Sequence, residues 1–447
     1  MKLIPRFIHR RIAHRPGLFK IVENIGWLFF DKILRMGVGL FIGVWIARYL
    51  GPEQFGLLSF ATAFVGLFGA IAGLGLKSIV VRDIVRDPAC KEEILGTAAA
   101  LQIIGGLLSY GLIIGTIFWL RPDDVLAKVL VAILGSMMLF KASEVAIDWF
   151  QSQVLSKYTV WVQNGSFLIF AAIKVGLILN HAPLTAFAWA MMAEALVVAL
   201  LMLVMLSLFG PRLRQLRITL VRARTLLKDC WPLIISSISI VIYMKIDQIM
   251  LGQMINDEAV GIYSVAARIS EAWYFLAIII NESIRPSLIR IRVQSSELFL
   301  YRLQKVFNLM VQLSFSVALV MTFFSPMIIS LLFGEDYNES IGVLQIHVWA
   351  GVFVFLNNAV WAWYIIENKQ KIANIRIIIG LSLNILLNWI LIPKYGAIGA
   401  AIATLVSRAF VSYFGLLLSK KTSHLFMMMT YALLTLGIRS HASKISS

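Results

Sequence analysis

Twelve long apolar segments follow one another along the 447 residues of this chain, and they limit its fold more than any other feature. A membrane-spanning helix needs about 20 mostly apolar residues. Hydrophobic residues make up 60% of the sequence and charged residues 14%, a composition outside the soluble globular class. We therefore predict an all-α polytopic membrane protein with about twelve transmembrane helices. The predicted helices span residues 27–49, 56–76, 95–119, 125–147, 159–179, 184–208, 231–254, 259–284, 306–332, 341–366, 373–392 and 397–418.

The distribution of lysine and arginine predicts the orientation of these helices. With the N-terminus inside and the helices alternating, the cytoplasmic segments hold 29 basic residues, whereas the outer loops hold two, Arg121 and Lys394. Because cytoplasmic loops collect Lys and Arg, the net charge of +17 is explained without nucleic acid as a partner. Both termini are predicted to be cytoplasmic. The first twenty residues are not expected to form a cleavable signal. The run Leu425–Ile438 is too short to span and is expected at the interface.

A basic linker, residues 210–228, divides the chain into similar halves. It contains six basic residues and no acid. Its leucines recur at roughly helical spacing, which favours an amphipathic helix on an anionic membrane surface. A solvated basic loop is the alternative. The predicted domains are an N-terminal six-helix lobe (1–209), the basic linker (210–228), a C-terminal six-helix lobe (229–420) and a cytoplasmic tail (421–447).

The two halves share a repeated segment. Residues 53–61 read EQFGLLSFA and residues 258–266 read EAVGIYSVA, so that Glu, Gly, Ser and Ala coincide at an offset of 205. A six-helix unit has the same orientation each time it occurs. The lobes are therefore expected to form a parallel pseudo-repeat around a central cavity. Chance similarity between two apolar helix starts is the competing interpretation.

The sequence contains no pattern typical of an enzyme or a cofactor site. The histidines are not grouped with acids at metal-ligand spacing, and neither a P-loop nor a Gly-rich nucleotide fingerprint occurs. Cys90 and Cys230 both fall in predicted cytoplasmic segments, where a disulfide is not expected. We therefore expect no enzyme activity, no metal and no cofactor.

Charged residues within the predicted helices are the candidate functional residues. Each costs a few kcal/mol at bilayer depth unless it is paired or hydrated, so their number implies a water-accessible cavity between the lobes. Static salt bridges between the lobes are the alternative explanation. Candidates for binding substrate are the basic residues Lys141, Lys174, Lys245, Arg268 and Arg408 and the aromatic residues Trp273 and Tyr274. Candidates for coupling to a proton or sodium gradient are Glu144, Asp247 and Glu271.

Helical periodicity places some of these charges together. Lys141, Glu144 and Asp148 are expected on one face of the fourth helix. One face of the eighth helix is expected to carry Arg268, Glu271, Phe275, Ile278 and Glu282. Each face would present several charges to the same surroundings.

Four further residues have simpler interpretations. Asp31 and Arg35 are four residues apart and are expected to form an ion pair within one helix. Trp363 and Tyr364 are expected at the membrane interface, where such residues gather.

An offset of 214 pairs Glu194 with Arg408, in the last helix of each lobe. The two charges could close against each other during a transport cycle. The alternative, which we expect, is that each belongs to an unrelated pairing within its own lobe.

Four stretches resemble a known family. They are similar to the helix connections and the eighth helix of polysaccharide-export flippases, the O-antigen (Wzx-like) group, and the resemblance covers nearly the whole chain. It implies the multidrug/oligosaccharidyl-lipid/polysaccharide exporter fold, with two six-helix lobes, alternating access and no ATP use. The stretches are residues 47–56 (ARYLGPEQFG), 268–275 (RISEAWYF), 332–337 (LFGEDY) and 392–401 (IPKYGAIGAA).

The resemblance implies a bacterial inner-membrane flippase for undecaprenyl-pyrophosphate-linked oligosaccharide, an O-antigen or exopolysaccharide repeat unit. Its expected partners are the lipid-linked oligosaccharide, membrane lipids, a polysaccharide polymerase and a chain-length regulator. A cation-coupled small-molecule (multidrug) exporter of the same fold is the alternative, and it would favour acids over bases in its cavity. A membrane glycosyltransferase or polymerase would need a large outer loop, and the predicted outer loops are only a few residues long.

Overall fold

The computed structural model describes residues 16–438, with side chains at Asn24 and from Gly26 onward. Within this range the chain forms α-helices and short 3-10 turns without a β-strand. Ten helical stretches of the described residues are long and apolar enough to cross a membrane, which confirms the predicted all-α polytopic membrane fold. Of the predicted cytoplasmic ends of the chain, residues 1–15 and 439–447 lie outside the described residues.

The helices are numbered in chain order. Those before the basic linker are α1 (Pro16–Gly73), α2 (Leu76–Arg86), α3 (Lys91–Leu120), α4 (Val125–Gly135), α5 (Glu144–Ser152), α6 (Ser156–Leu179) and α7 (Leu184–Phe209). Those that begin within or after it are α8 (Leu220–Met254), α9 (Asp257–Glu271), α10 (Tyr274–Gln294), α11 (Ser296–Phe333), α12 (Ser340–Ile366), α13 (Gln370–Ser412) and α14 (Ser423–Leu434).

Two of the long helices bend at a glycine. Gly51 in α1 has φ 72° and Gly396 in α13 has φ 53°, a backbone region that favours glycine. A straight helix of the 58 residues of α1 would be about 87 Å long, far more than one bilayer core of about 30 Å. Dividing α1 and α13 at these glycines gives the twelve predicted spans.

Contacts divide the chain into two compact units. The first unit comprises the residues up to Tyr49 together with Ala61–Val241, and the second comprises Leu50–Phe60 together with the residues from Ile242 onward. The segment Leu50–Phe60, which includes the start of the second predicted span, therefore packs within the second unit. The residues directly before and after this segment in the chain belong to the first unit.

The basic linker is not an amphipathic helix along its whole length, so that prediction is wrong. Backbone before Leu220 is a short 3-10 turn followed by an extended stretch, and α8 then continues into the membrane span. The Arg217 backbone N–H donates to the Glu92 carbonyl at 3.2 Å. This approach requires Gly96, because a Cβ there would lie 2.5 Å from the Arg217 carbonyl oxygen. Backbone groups of the linker thus find partners on α3 instead of within a helix.

The C-terminal helix α14 packs on α11 in the second unit. The Gln304 side-chain amide donates to the Met428 carbonyl at 3.1 Å, and that of Gln312 donates to the Gly437 carbonyl at 3.0 Å. Gly437 has φ 70°, and a Cβ there would lie 2.4 Å from a carbonyl oxygen of α11. The apolar run that the sequence predicts to be interfacial is therefore a helix attached to the second unit.

Candidate functional site

Asp247 on α8 is the centre of a buried polar network in the second unit. Its carboxylate accepts hydrogen bonds from the Asn388 amide at 2.6 Å, the Thr404 hydroxyl at 2.6 Å and the Tyr263 hydroxyl at 2.8 Å. The donors come from α9 and from both parts of α13. Asp247 is 4% exposed, so its charge is compensated by charge-assisted hydrogen bonds.

The network continues along α13. The Asn388 amide also donates to the Asn384 side-chain oxygen at 3.1 Å, and the Asn384 amide and the Tyr243 hydroxyl both donate to the Ser407 hydroxyl at 3.3 Å. The side-chain oxygen of Asn388 has no hydrogen-bond partner among the described residues. An unused amide oxygen beside a carboxylate is an open acceptor for a proton donor or for a small cation that prefers oxygen ligands.

A small polar cavity adjoins this network. Four charged residues line it, Lys245, Asp247, Glu271 and Arg408, together with His347. The cavity has room for about one water molecule. A sugar ring does not fit into it in this conformation.

The charges around the cavity are only partly paired. The Arg408 guanidinium lies over the Tyr243 ring, 5.1 Å from its centre, and its Nε has no acceptor among the described residues. The Glu271 carboxylate makes no hydrogen bond or ion pair with the described part of the chain. Two positive and two negative charges thus share a space of the size of one water, which is the kind of site where an ion or a proton can be exchanged.

Lys174 and Glu194 form a salt bridge within the first unit. Their charged atoms are 2.7 Å apart, and the side chains are 13% and 20% exposed. Arg408 has Tyr243 as its partner within the second unit. Glu194 and Arg408 therefore each have a partner within their own unit. This agrees with the expectation that the two charges belong to unrelated pairings.

Lys141 and Glu144 also pair, whereas Asp148, predicted on the same helix face, forms no ion pair among the described residues. Residues 136–143 form a 3-10 helix, and α5 starts at Glu144. Side chains three residues apart eclipse in a 3-10 helix, which brings Lys141 Nζ to 2.6 Å from the Glu144 carboxylate. Asp148, four residues after Glu144 on α5, is buried, and its Oδ2 has no partner among the described residues.

The predicted face on the eighth span is interrupted. Helix α9 ends at Glu271 and α10 starts at Tyr274, which separates Arg268 and Glu271 from Phe275, Ile278 and Glu282. Arg268 is exposed, with its guanidinium 5.8 Å from the centre of the Phe55 ring. Neither Arg268 nor the aromatic candidates Trp273 and Tyr274 line the cavity.

Of the two remaining predictions, the ion pair between Asp31 and Arg35 is present, whereas Trp363 and Tyr364 do not lie where they are expected. Arg35 and Asp31 form the expected ion pair at 2.8 Å, and Arg35 also donates to Asn164 at 3.2 Å. Trp363 and Tyr364 are buried in the second unit, so their predicted position at the membrane interface is wrong. No residue of helix α12, which carries them, is exposed.

Sequence reasoning missed the uncharged members of the network. Asn384 and Asn388 are four residues apart on α13, and Thr404 and Ser407 are three residues apart later in the same helix. Such spacing puts each pair on one helix face. Paired amides or hydroxyls on one face of an apolar span are the signal that could have indicated these residues.

Comparison with known proteins shows similarity over most of the chain. The family described as polysaccharide biosynthesis protein matches residues 21–291, more than half of the chain. The probable low-salt glycan biosynthesis flippase Agl15 of Haloferax volcanii is 23% identical over 398 residues, which are 83% of this chain and 78% of that protein. The probable flippase AglR of the same organism is 23% identical and covers 87% of this chain and 81% of its own length.

Solved structures share the fold. The lipid II flippase MurJ in an inward closed conformation has a TM-score of 0.72 at 18% identity, over 93% of this chain and 91% of that chain. An inward-facing multidrug resistance MATE family transporter of the MOP superfamily has a TM-score of 0.66 at 15% identity, over 91% and 96%. At these identities the likeness defines the fold of the chain.

Proposed function

Because the chain belongs to the polysaccharide biosynthesis protein family, we propose that it moves undecaprenyl-pyrophosphate-linked oligosaccharide from the inner to the outer leaflet by alternating access. The chain is a membrane transporter for glycan or lipid-linked precursors rather than an enzyme, since its family and its flippase relatives extend over most of its length. The cargo in this proposal is an O-antigen or exopolysaccharide repeat unit. The membrane is the bacterial inner membrane, with both termini of the chain in the cytoplasm.

The charge network of the second unit is the observation that carries this proposal. An uncompensated charge within a membrane span is costly, yet Arg408 and Glu271 lack an ion-pair partner among the described residues. Such a cost persists in a protein when the charges serve a ligand or a coupled ion. The network therefore supports transport of a charged cargo, as a pyrophosphate-linked oligosaccharide is.

The basic candidates differ in what they can offer the cargo. Arg268 is an exposed residue, and the planar donor fork of a guanidinium fits the oxygens of a phosphate. Lys245 and Arg408 adjoin the small cavity and can meet the cargo only in a more open conformation. Lys141 and Lys174 already hold carboxylates at 2.6 and 2.7 Å, so we assign them to local ion pairs first.

Coupling to a proton or sodium gradient is the second part of the proposal. Asp247 and Glu271 line a cavity of the size of one water, which suits a proton or a single small ion. The open side-chain oxygen of Asn388 adds a neutral ligand beside Asp247. Glu144 is a weaker candidate, because Lys141 already compensates its charge.

A multidrug exporter of the same fold would need a different balance of charge. A cavity for organic cations favours acids, whereas this one has two bases and two acids. In cells, we expect deletion of the gene to stop surface glycan and to accumulate lipid-linked oligosaccharide in the inner leaflet, where a lectin reaches it only after the membrane is opened. Normal surface glycan together with a loss of resistance to a cationic dye would favour the exporter.

A further inference from the structure

A buried arginine without an acid lies at one end of the second unit. Arg376, near the start of α13, is 2% exposed. Its Nε and Nη1 have no acceptor among the described residues, and no carboxylate in that part of the chain pairs with it. Its guanidinium lies 4.8 Å from the centre of the Tyr364 ring, and the Tyr364 hydroxyl also lacks a partner among the described residues.

This arrangement is energetically unfavourable unless something else is bound. A desolvated cation–π contact stabilises a guanidinium, but by less than an uncompensated buried charge costs. Buried polar groups without partners usually indicate an additional water or ion. Water would satisfy the N–H groups of Arg376, but it would leave the positive charge uncompensated.

The surroundings of Arg376 favour an anion. From Ser340 to the C-terminus the sequence contains a single acid, Glu367, and that carboxylate is paired with Arg292 at 2.6 Å. Lys369 and Lys371 precede Arg376 in the chain, and Lys420 and Lys421 follow the 3-10 turn Phe414–Leu418. No salt bridge holds these lysines within the described residues.

A short turn covers Arg376. Residues Phe414–Leu418 form a 3-10 turn, and a Cβ on Gly415 would lie 3.2 Å from Arg376 Cδ. The Thr422 hydroxyl closes the turn by donating to the Leu416 carbonyl at 2.6 Å. Phe414, Leu417 and Leu418 of this turn are exposed, whereas Gly415 and Leu416 are buried against the rest of the unit.

We propose that Arg376 binds an oxyanion, the phosphate of a lipid headgroup or free phosphate, beneath the turn Phe414–Leu418. Two guanidinium N–H groups and the Tyr364 hydroxyl donate to its oxygens. The positive charges of Lys369, Lys371, Lys420 and Lys421 attract it. The site shares no residue with the cavity around Asp247, and it does not depend on the proposed cargo.

Thermal unfolding of the purified full-length protein, followed by tryptophan fluorescence, tests this site. One arm titrates inorganic phosphate against chloride at equal ionic strength. A second arm compares nanodiscs of phosphatidylcholine with and without phosphatidylglycerol. We expect the unfolding midpoint to rise by several degrees in at least one arm, and the arm that responds identifies free phosphate or a lipid headgroup as the source.

Two variants assign the effect to Arg376. Arg376→Gln is expected to lose the shift and, without the anion, to be at least as stable as the wild type, because it removes an uncompensated charge. Lys394→Gln, the matched control at an exposed position later in α13, is expected to keep the shift. A wild type that responds in neither arm overturns the proposal, and so does an equal shift in Arg376→Gln. Loss of stability in Arg376→Gln irrespective of the anion would show a structural role instead.

Discussion

Gly56 and Gly261 lie against each other in the second unit, at equivalent places of the repeated segment. A Cβ on Gly56 would lie 1.7 Å from the Asp257 carbonyl oxygen, and a Cβ on Gly261 would lie 2.0 Å from that of Pro52. Pro52 and Asp257, like the two glycines, are 205 residues apart. The contact is therefore reciprocal, as expected for two copies of one segment that meet across a local pseudo-twofold axis.

Substitution of Gly56 by alanine is expected to be strongly destabilising. The new methyl group would meet backbone rather than a movable side chain, so the two segments would have to separate, at about 3 kcal/mol or more. The matched control is Gly66→Ala in the same helix, where nothing lies within 4 Å and alanine favours the helix. Thermal unfolding in detergent measures both variants. Equal midpoints for both would contradict the close contact.

Asp247→Asn is expected to remove gradient-dependent transport, because it takes away the charge at the centre of the network. Thr404→Val keeps this charge and removes one of its three donors, at about 1 kcal/mol of stability. Asp123→Asn, in an exposed loop, serves as the control. Transport is measured in vesicles with and without an imposed proton or sodium gradient. An Asp247→Asn variant that still responds to the gradient would exclude Asp247 from coupling.

Lys174 and Glu194 are expected to tolerate exchange only together. Either single reversal places two like charges 2.7 Å apart in a largely buried position and should cost about 3 kcal/mol or more. The double variant, Lys174→Glu with Glu194→Lys, should recover most of the stability and of the protein level in membranes. If the double variant is no better than the single ones, the two residues do not stabilise each other directly.

His424 should make stability depend on pH. It lies outside the membrane spans on α14, with its ring 5.5 Å from that of Trp363. Burial lowers the pKa of His424 below its ordinary 6.5, and the Glu367 carboxylate partly opposes this. The unfolded chain therefore binds a proton below pH 6.5 that the folded chain does not. As the pH drops below 6.5, the free energy of unfolding decreases by at most about 1.4 kcal/mol per pH unit.

The control for this effect is His424→Phe, which keeps a ring against Trp363. The unfolding midpoints of both proteins should differ by a constant amount above pH 7, and the wild type should lose stability relative to the variant between pH 6.5 and 5. A difference that does not change across this range would show that His424 is protonated equally in both states.

Hydropathy and charge predict the spans of this protein because each span must be apolar for about 20 residues regardless of its neighbours. They do not predict which charges meet. Lys174 and Glu194 are on different helices, and their pairing depends on how α6 and α7 pack. The partners of Asp247 are neutral residues, which a search for charges passes over. The local sequence of the basic linker favours a helix, whereas its contact with Gly96 favours extended backbone, and the tertiary contact decides.

Reconstituted flipping of a lipid-linked oligosaccharide tests the central claim most directly. The purified protein is placed in liposomes with fluorescent undecaprenyl-pyrophosphate-linked oligosaccharide, and a membrane-impermeant reagent reports the labelled lipid in the outer leaflet over time. The wild type should raise the accessible fraction beyond the half reached in protein-free liposomes. Arg268→Ala and Lys245→Ala should slow this exchange at an unchanged protein level. The account would be contradicted if the accessible fraction stayed at one half with folded wild-type protein under an imposed proton gradient and under an imposed sodium gradient.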